Sequence, residues 1–124
     1  MTTSNLLVPH SRPISWVVAA LRDFKRFPEE AQTICSRALT VAAEGGKADT
    51  AKPLHGFGSG VFEIALPYKG DAYRVVYAVR IVDRVWVLHA FQKKSKTGIK
   101  TPQREIELIR ARLKAIKEYR HEEG

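Results

Sequence analysis

The chain has 124 residues, enough for one compact domain, and 44% are hydrophobic against 27% charged, a balance that excludes a disordered tail. Its 21 Lys and Arg outnumber 13 Asp and Glu, and the net charge of +8 favours polyanionic partners while leaving RNA, DNA, ribosomes and acidic proteins all open. No apolar run approaches the roughly 20 residues of a membrane span, no secretory signal is visible, and the lone Cys35 can form no internal disulfide; together these point to the cytoplasm and away from a membrane.

Residues 1–12 read as a loosely ordered leader and Pro13 to Val18 as a short first strand. From Val18 to Phe27 the spacing of Leu21, Phe24 and Phe27 predicts a short helix, which Pro28 ends. A second helix follows, with Ala31, Ile34, Cys35, Ala38, Leu39 and Ala42 on one stripe, Glu29 and Glu30 at its positive end and Gly45-Gly46 as its stop. On that stripe Cys35 reads as a buried structural thiol. Beyond a polar link the period changes: Phe62, Ile64 and Leu66 alternate with Glu63 and Ala65, as in a strand with one buried face. Pro67 to Ala72 reads as a turn. Tyr73, Val75, Tyr77 and Val79 then alternate with Arg74, Val76, Ala78 and Arg80, and Asp83-Arg84 separates this run from Val85 to Phe91, which predicts a hairpin. Thr101 suits an N-cap, Pro102 a first helical residue and Glu105 a first turn, ahead of the stripe Ile106, Ile109, Leu113 and Ile116. The order β-α-α-β-β-β-α over residues 1–124 predicts a single α+β domain, a small twisted antiparallel-type sheet with helices packed on one face.

The run Gln92 to Lys100, QKKSKTGIK, holds four lysines and no acid, directly after a strand ending in His89, Ala90 and Phe91. Such a loop either surrounds a phosphate, with the aromatic stacking on a base, or is a solvated surface segment. Lys93 and Lys94 stand nearest the strand; Lys96 and Lys100 suit general electrostatic contacts, and Lys52 is a further candidate phosphate contact or an ordinary solvated lysine. Arg74 sits among apolar and aromatic residues, where a guanidinium needs an acid such as Glu63 or a bound anion. His89 is either a proton carrier or a core histidine. One cysteine and four scattered histidines give no metal-ligand spacing. The glycines 56, 58 and 60 precede a strand instead of joining a strand to a helix, so a flexible turn explains them better than a phosphate-binding fingerprint.

The pieces AKPLHGFGSGVFE (Ala51 to Glu63), YRVVY (Tyr73 to Tyr77), VLHAFQKKSKTGIKTP (Val87 to Pro102) and REIELIRARL (Arg104 to Leu113), taken in this order, resemble the RelE/HigB superfamily of type II toxins, in particular its phage-associated HigB-like branch. The resemblance runs from Arg12 to the last helix. It implies a RelE-like fold and a metal-free endoribonuclease without cofactor, which cuts mRNA in the ribosomal A site by attack of the ribose 2′-OH on the adjacent phosphate. It also implies a HigA-like helix-turn-helix antitoxin as partner. By position, Arg74 matches the arginine such toxins place on the phosphate, and Lys93 and Lys94 match the basic pair past the last strand; Phe91 and His89 lie where stacking or proton transfer is expected. Two features depart from the family: the strand lysines of RelE proteins are replaced by Glu63 and Ala65, and the tyrosine after the basic loop is absent, Ile99, Lys100 and Thr101 filling that stretch. Glu63 is then either the general base or a brace for Arg74.

Two other classes compete with the nuclease. A ParE-like toxin shares the fold and inhibits DNA gyrase, but its members generally lack a clustered basic and aromatic site. A non-catalytic RNA- or ribosome-binding module is kept open by the missing strand lysines.

Overall fold

The computed structural model describes residues 11–93 and 101–123, with side chains up to Tyr119. Five strands form one sheet in the order β1-β5-β4-β3-β2. They are β1 (Ile14–Trp16), β2 (Ala51–Pro53), β3 (Val61–Tyr68), β4 (Asp71–Ile81) and β5 (Arg84–Lys93). The three helices are α1 (Val18–Phe24), α2 (Glu29–Ala43) and α3 (Gln103–Glu123). The long strands β3, β4 and β5 pair antiparallel, β2 adds antiparallel to β3, and β1 runs parallel to β5.

The α+β layering holds, but the helices are shared between the two faces. Ile64, Leu66, Tyr73, Val75, Tyr77, Val85 and Val87 point to the face covered by α1 and α2, where they meet Ala20, Phe24, Ala31, Cys35 and Leu39. Val61, Val76, Ala78 and Leu88 point the other way, onto Ile109, Leu113 and Ile116 of α3. The two-residue period of the strands separates these sets. A chain of tilted aromatic contacts ties the first layer together, from Trp16 through Phe24 and Phe27 to Tyr73, with centroids 4.9, 5.4 and 4.8 Å apart. Cys35 is fully enclosed there, and burial pushes its thiol up to about 11, the inert structural cysteine its place on the stripe implied.

The helix ends have identifiable causes. At the end of α2 the Gly46 amide donates to Val41 O and the Gly45 amide to Ala42 O, with Gly45 at φ +95°, a left-handed cap that only glycine adopts without strain. At the start of α3 the expected N-cap is displaced by one residue. Pro102 supplies the first accepting carbonyl, to Glu105 and Ile106, while the Thr101 hydroxyl is occupied elsewhere by Glu63. The glycine-rich stretch before β3 is a docked turn: Arg110 of α3 donates to Gly56 O and lies 4.8 Å over the Phe57 ring. Of the leader, residues 1–10 lie outside the described residues; Arg12 is tied down, its amide on Ala43 O and its guanidinium on Val79 O.

Both hairpin turns are tight. β3 and β4 extend further than the expected turn at 67–72 allowed, closing at Lys69-Gly70, and β4 and β5 close at Val82-Asp83, one residue earlier than Asp83-Arg84. Val82 and Asp83 both sit at φ +51°. This left-handed pair matches the twist of the strands but suits Asn and Gly, and a β-branched valine is strained in it. Val82→Asn is therefore expected to raise the unfolding free energy by about 1 kcal/mol, read by urea denaturation. A loss of stability would show that the exposed valine packs more than its backbone costs.

Candidate functional site

The face of the sheet toward α3 gathers most of the residues singled out in the sequence. Strand register places them in rows. Lys52, Glu63, Val76 and His89 are successive partners across β2, β3, β4 and β5. The next row holds Ala65, Arg74 and Phe91, and the one beyond it Pro67, Ala72 and Lys93. Direct partners in a ladder point to the same side, so Lys52, Glu63, Arg74, His89, Phe91 and Lys93 share one face. A bulge in β5 makes this possible. Tyr77 pairs with Val87 but its neighbour Val76 pairs with His89, which leaves Leu88 as the extra residue.

Arg74 and Glu63 form an ion pair, Nη1 to Oε1 at 3.2 Å, and both residues are almost enclosed, at 6% and 5% exposure. The second carboxylate oxygen of Glu63 accepts from the Thr101 hydroxyl at 2.9 Å. Both oxygens of Glu63 are thus engaged by donors, one from β4 and one from the residue leading into α3. The carboxylate fixes the orientation of the guanidinium and the approach of α3 together.

His89 is 3% exposed and lies in a polar chain of its own. Its Nε2 is 2.5 Å from Glu105 Oε1 and its Nδ1 is 2.9 Å from Arg112 Nη1. A guanidinium can only donate, so Nδ1 is the acceptor and the ring proton resides on Nε2, donated to Glu105. Arg112 also donates to Leu88 O at 3.0 Å, capturing the carbonyl of the bulge residue. Burial lowers the affinity of His89 for a proton; the Glu105 hydrogen bond opposes this, and the charge of Arg112 reinforces it. With both nitrogens engaged, this geometry fits the core histidine weighed in the sequence better than a proton carrier. The Phe91 ring stacks on the imidazole, centroids 5.0 Å apart at 24°.

The depressed affinity has a consequence for stability. Above pH ~6.5 His89 is neutral both folded and unfolded. Below that the unfolded chain takes up a proton that the folded chain refuses, so stability falls with acid until the folded value is reached. Thermal melts between pH 7.5 and 5.5 are expected to show this fall in the wild type and a shallower one in His89→Gln. Parallel curves would mean that other groups carry the pH dependence.

Lys93 ends β5 and is half-buried, whereas Lys52 is exposed. Lys94, Lys96 and Lys100 lie outside the described residues, as does His10. Three contributors escaped the sequence reasoning: Thr101 as ligand of Glu63, and Glu105 with Arg112 as the partners of His89. A signal for the last two was present, since Glu105, Ile109, Arg112 and Ile116 follow the same helical stripe and so place two charges on a buried face. Among the described residues no group of three or more His, Cys, Asp and Glu is arranged to hold a metal ion, and no helix is long and apolar enough to cross a membrane.

This sheet order with its flanking helices is the fold of RelE. Two structures of the Escherichia coli toxin RelE are similar to it. One is a double arginine-to-alanine variant in the free state, 18% identical over 86% of this chain and 98% of that one, TM-score 0.59. The other is the isolated toxin, 17% identical over 82% and 98%, TM-score 0.53. A toxin–antitoxin complex of Mycobacterium tuberculosis is 18% identical over 68% of this chain and 94% of that one, TM-score 0.47. No curated protein matches the sequence. The family model described as phage derived protein Gp49-like matches residues 22–114, and the chain belongs to that family. The family spans the whole α3-facing site, from Lys52 through Arg112.

Proposed function

We propose that this protein is the toxin of a type II toxin–antitoxin pair and an endoribonuclease that cuts mRNA in the ribosomal A site. The observation that carries this reading is the row arrangement on the α3 face: Arg74 aligned by Glu63, with Phe91 its direct cross-strand partner and Lys93 one row further on. In the sequence, Lys94, Lys96 and Lys100 follow Lys93. In the reaction, the 2′-hydroxyl gives up its proton as its oxygen bonds to phosphorus, and the 5′-oxygen takes up a proton as its bond to phosphorus breaks, giving a 2′,3′-cyclic phosphate and a 5′-hydroxyl. Arg74, Lys93 and Lys94 supply positive charge to the phosphorane. Phe91 offers a stacking surface for a base, Lys52 a further phosphate contact, and Lys96 and Lys100 general attraction. Glu63 acts as the brace of Arg74. A HigA-like antitoxin, encoded nearby, restrains the protein by covering this surface or by keeping it off the ribosome.

One observation favours a second reading, a non-catalytic RNA- or ribosome-binding module: Arg74 is only 6% exposed and already paired with a carboxylate, so it presents little open surface to a phosphate. Induced expression followed by mapping of mRNA 5′ ends separates the readings. The nuclease gives codon-phased cuts in translated messages, relieved by co-expression of the adjacent antitoxin. Growth arrest with no cuts sinks it, and DNA damage in that case identifies a gyrase inhibitor.

A further inference from the structure

A cleft on the opposite side of the sheet plays no part in the site described above. It lies between the end of α2 and the β4–β5 turn and has a volume of about 640 Å³, within the roughly 300–1,000 Å³ of ordinary small-ligand sites. Phe62 and Tyr77 line it from the sheet, their rings stacked at 5.5 Å and 17°. Around them stand three cations, Arg12, Lys47 and Arg80, and one acid, Asp83.

Arg80 and Lys47 are both exposed, and each has donors to spare. Arg80 lies in the stretch of β4 where a second bulge interrupts the pairing between Ala78 and Ile81. Its stem rests on Gly60, where an added Cβ would stand 2.7 Å from Arg80 Cγ, and Gly60 is at φ +83°. The absence of a side chain at Gly60 therefore makes the seat for Arg80. Among the described residues the Arg80 guanidinium has no hydrogen-bond or ion-pair partner, which leaves all five of its N–H groups available. Lys47 Nζ gives two of its three protons to the neutral carbonyls of Ala51 and Ala48, at 2.8 and 3.3 Å, so its charge is not cancelled. Arg12 is anchored on Val79 O, and its Nε faces Asp83 at 3.6 Å. The Asp83 side chain is 79% exposed, and a pair so solvated is weak.

We propose that this cleft binds a nucleotide unit, its phosphate held by Arg80 and Lys47 and its base against the apolar floor at Phe62. Guanidinium forks match phosphate oxygens, and a flat apolar floor accepts any base. A run of acidic side chains answers the charge but leaves the aromatic floor unused. The unit comes either from a free nucleotide or from a strand of RNA. The site is independent of the cleavage reaction, because its residues lie on the other face of the sheet from Arg74.

The test is binding measured by calorimetry at low salt with three probes: adenosine 5′-monophosphate, a 2′-O-methyl hexanucleotide that lacks the attacking hydroxyl, and hexaglutamate. Wild type is compared with Arg80→Ala, Asp83→Asn and, as a charge-matched control on α3, Lys114→Ala, each checked for folding by thermal melts. Loss of the charged contacts in Arg80→Ala is expected to weaken nucleotide binding by about tenfold or more. Asp83→Asn keeps a residue tolerant of the left-handed turn and is expected to tighten it, while Lys114→Ala stays within about twofold, as for a surface charge far from the ligand. Binding of the monophosphate and the hexanucleotide with this pattern assigns the site to free nucleotides as well as strands; binding of the hexanucleotide alone assigns it to a strand. Equal losses in Arg80→Ala and Lys114→Ala, or an Arg80-dependent affinity for hexaglutamate alone, would overturn the proposal.

Discussion

Arg74→Ala is expected to slow cleavage of mRNA on programmed ribosomes by roughly a hundred- to a thousandfold, the ~2.7–4 kcal/mol that one oxyanion donor supplies elsewhere. The expectation rests on the ribonuclease reading and on the place of Arg74, in register with Phe91 and one row from Lys93. Arg74→Lys is expected to be impaired as well, because an ammonium cannot span phosphate and Glu63 with one planar fork. Lys93→Ala and Lys94→Ala should each weaken cleavage, whereas Lys96→Ala and Lys100→Ala should mainly change binding and its salt dependence. Single-turnover assays with thermal melts on each variant provide the check. Folded Arg74→Ala and Lys94→Ala proteins that both cut at the wild-type rate would remove this face from the mechanism.

Glu63→Ala is expected to cost about 3–5 kcal/mol of stability, the usual cost of truncating one partner of a buried ion pair. The carboxylate is 5% exposed and serves two donors, Arg74 and Thr101, so its loss loosens β4 and the start of α3 at once. Glu63→Gln retains an acceptor for one of them and is expected to cost less, about 1–3 kcal/mol, with cleavage partly kept. Urea unfolding and cleavage rates measured on the same samples separate the two roles of this residue. A Glu63→Gln protein as stable as the wild type but inactive would make Glu63 the general base instead of a brace.

The elements with strong periodicity were legible in the sequence. The stripe from Ala31 to Ala42 is buried in α2, and the alternation of Phe62, Ile64 and Leu66 lies against it. The Arg74–Glu63 pair was one of two readings the sequence offered, because a guanidinium in an apolar strand needs either an acid or a bound anion, and Glu63 was the acid at hand. Other features left no local mark. β2 is three residues, Ala51, Lys52 and Pro53, too short for a period and containing a proline that only an edge strand tolerates. The turn at Val82-Asp83 lacks the Asn-Gly signature its dihedrals favour. Thr101 has the composition of an N-cap, and it is the buried carboxylate of Glu63, distant in sequence, that claims its hydroxyl. The placement of α3 on the second face follows from which side of the sheet α1 and α2 already fill, a property of the whole chain.

The extra residue in β5 decides more than a local kink. Without the bulge, Leu88 would take the place opposite Val76, and every residue beyond it would turn over. His89, Phe91 and Lys93 would then point into the aromatic layer beneath α1 and α2, and Ala90 and Gln92 would face α3. Val85 and Val87 are odd-numbered and buried in that layer, and beyond the bulge it is the even-numbered Ala90 that joins them. The strand is thus written in two frames, and Leu88 is the frameshift between them. Burying Lys93 in an aromatic layer carries a heavy desolvation penalty, so the polarity of the strand's last residues itself rejects the unshifted frame. An insertion or deletion elsewhere in β5 would have to be matched by a second one to keep the two frames in place.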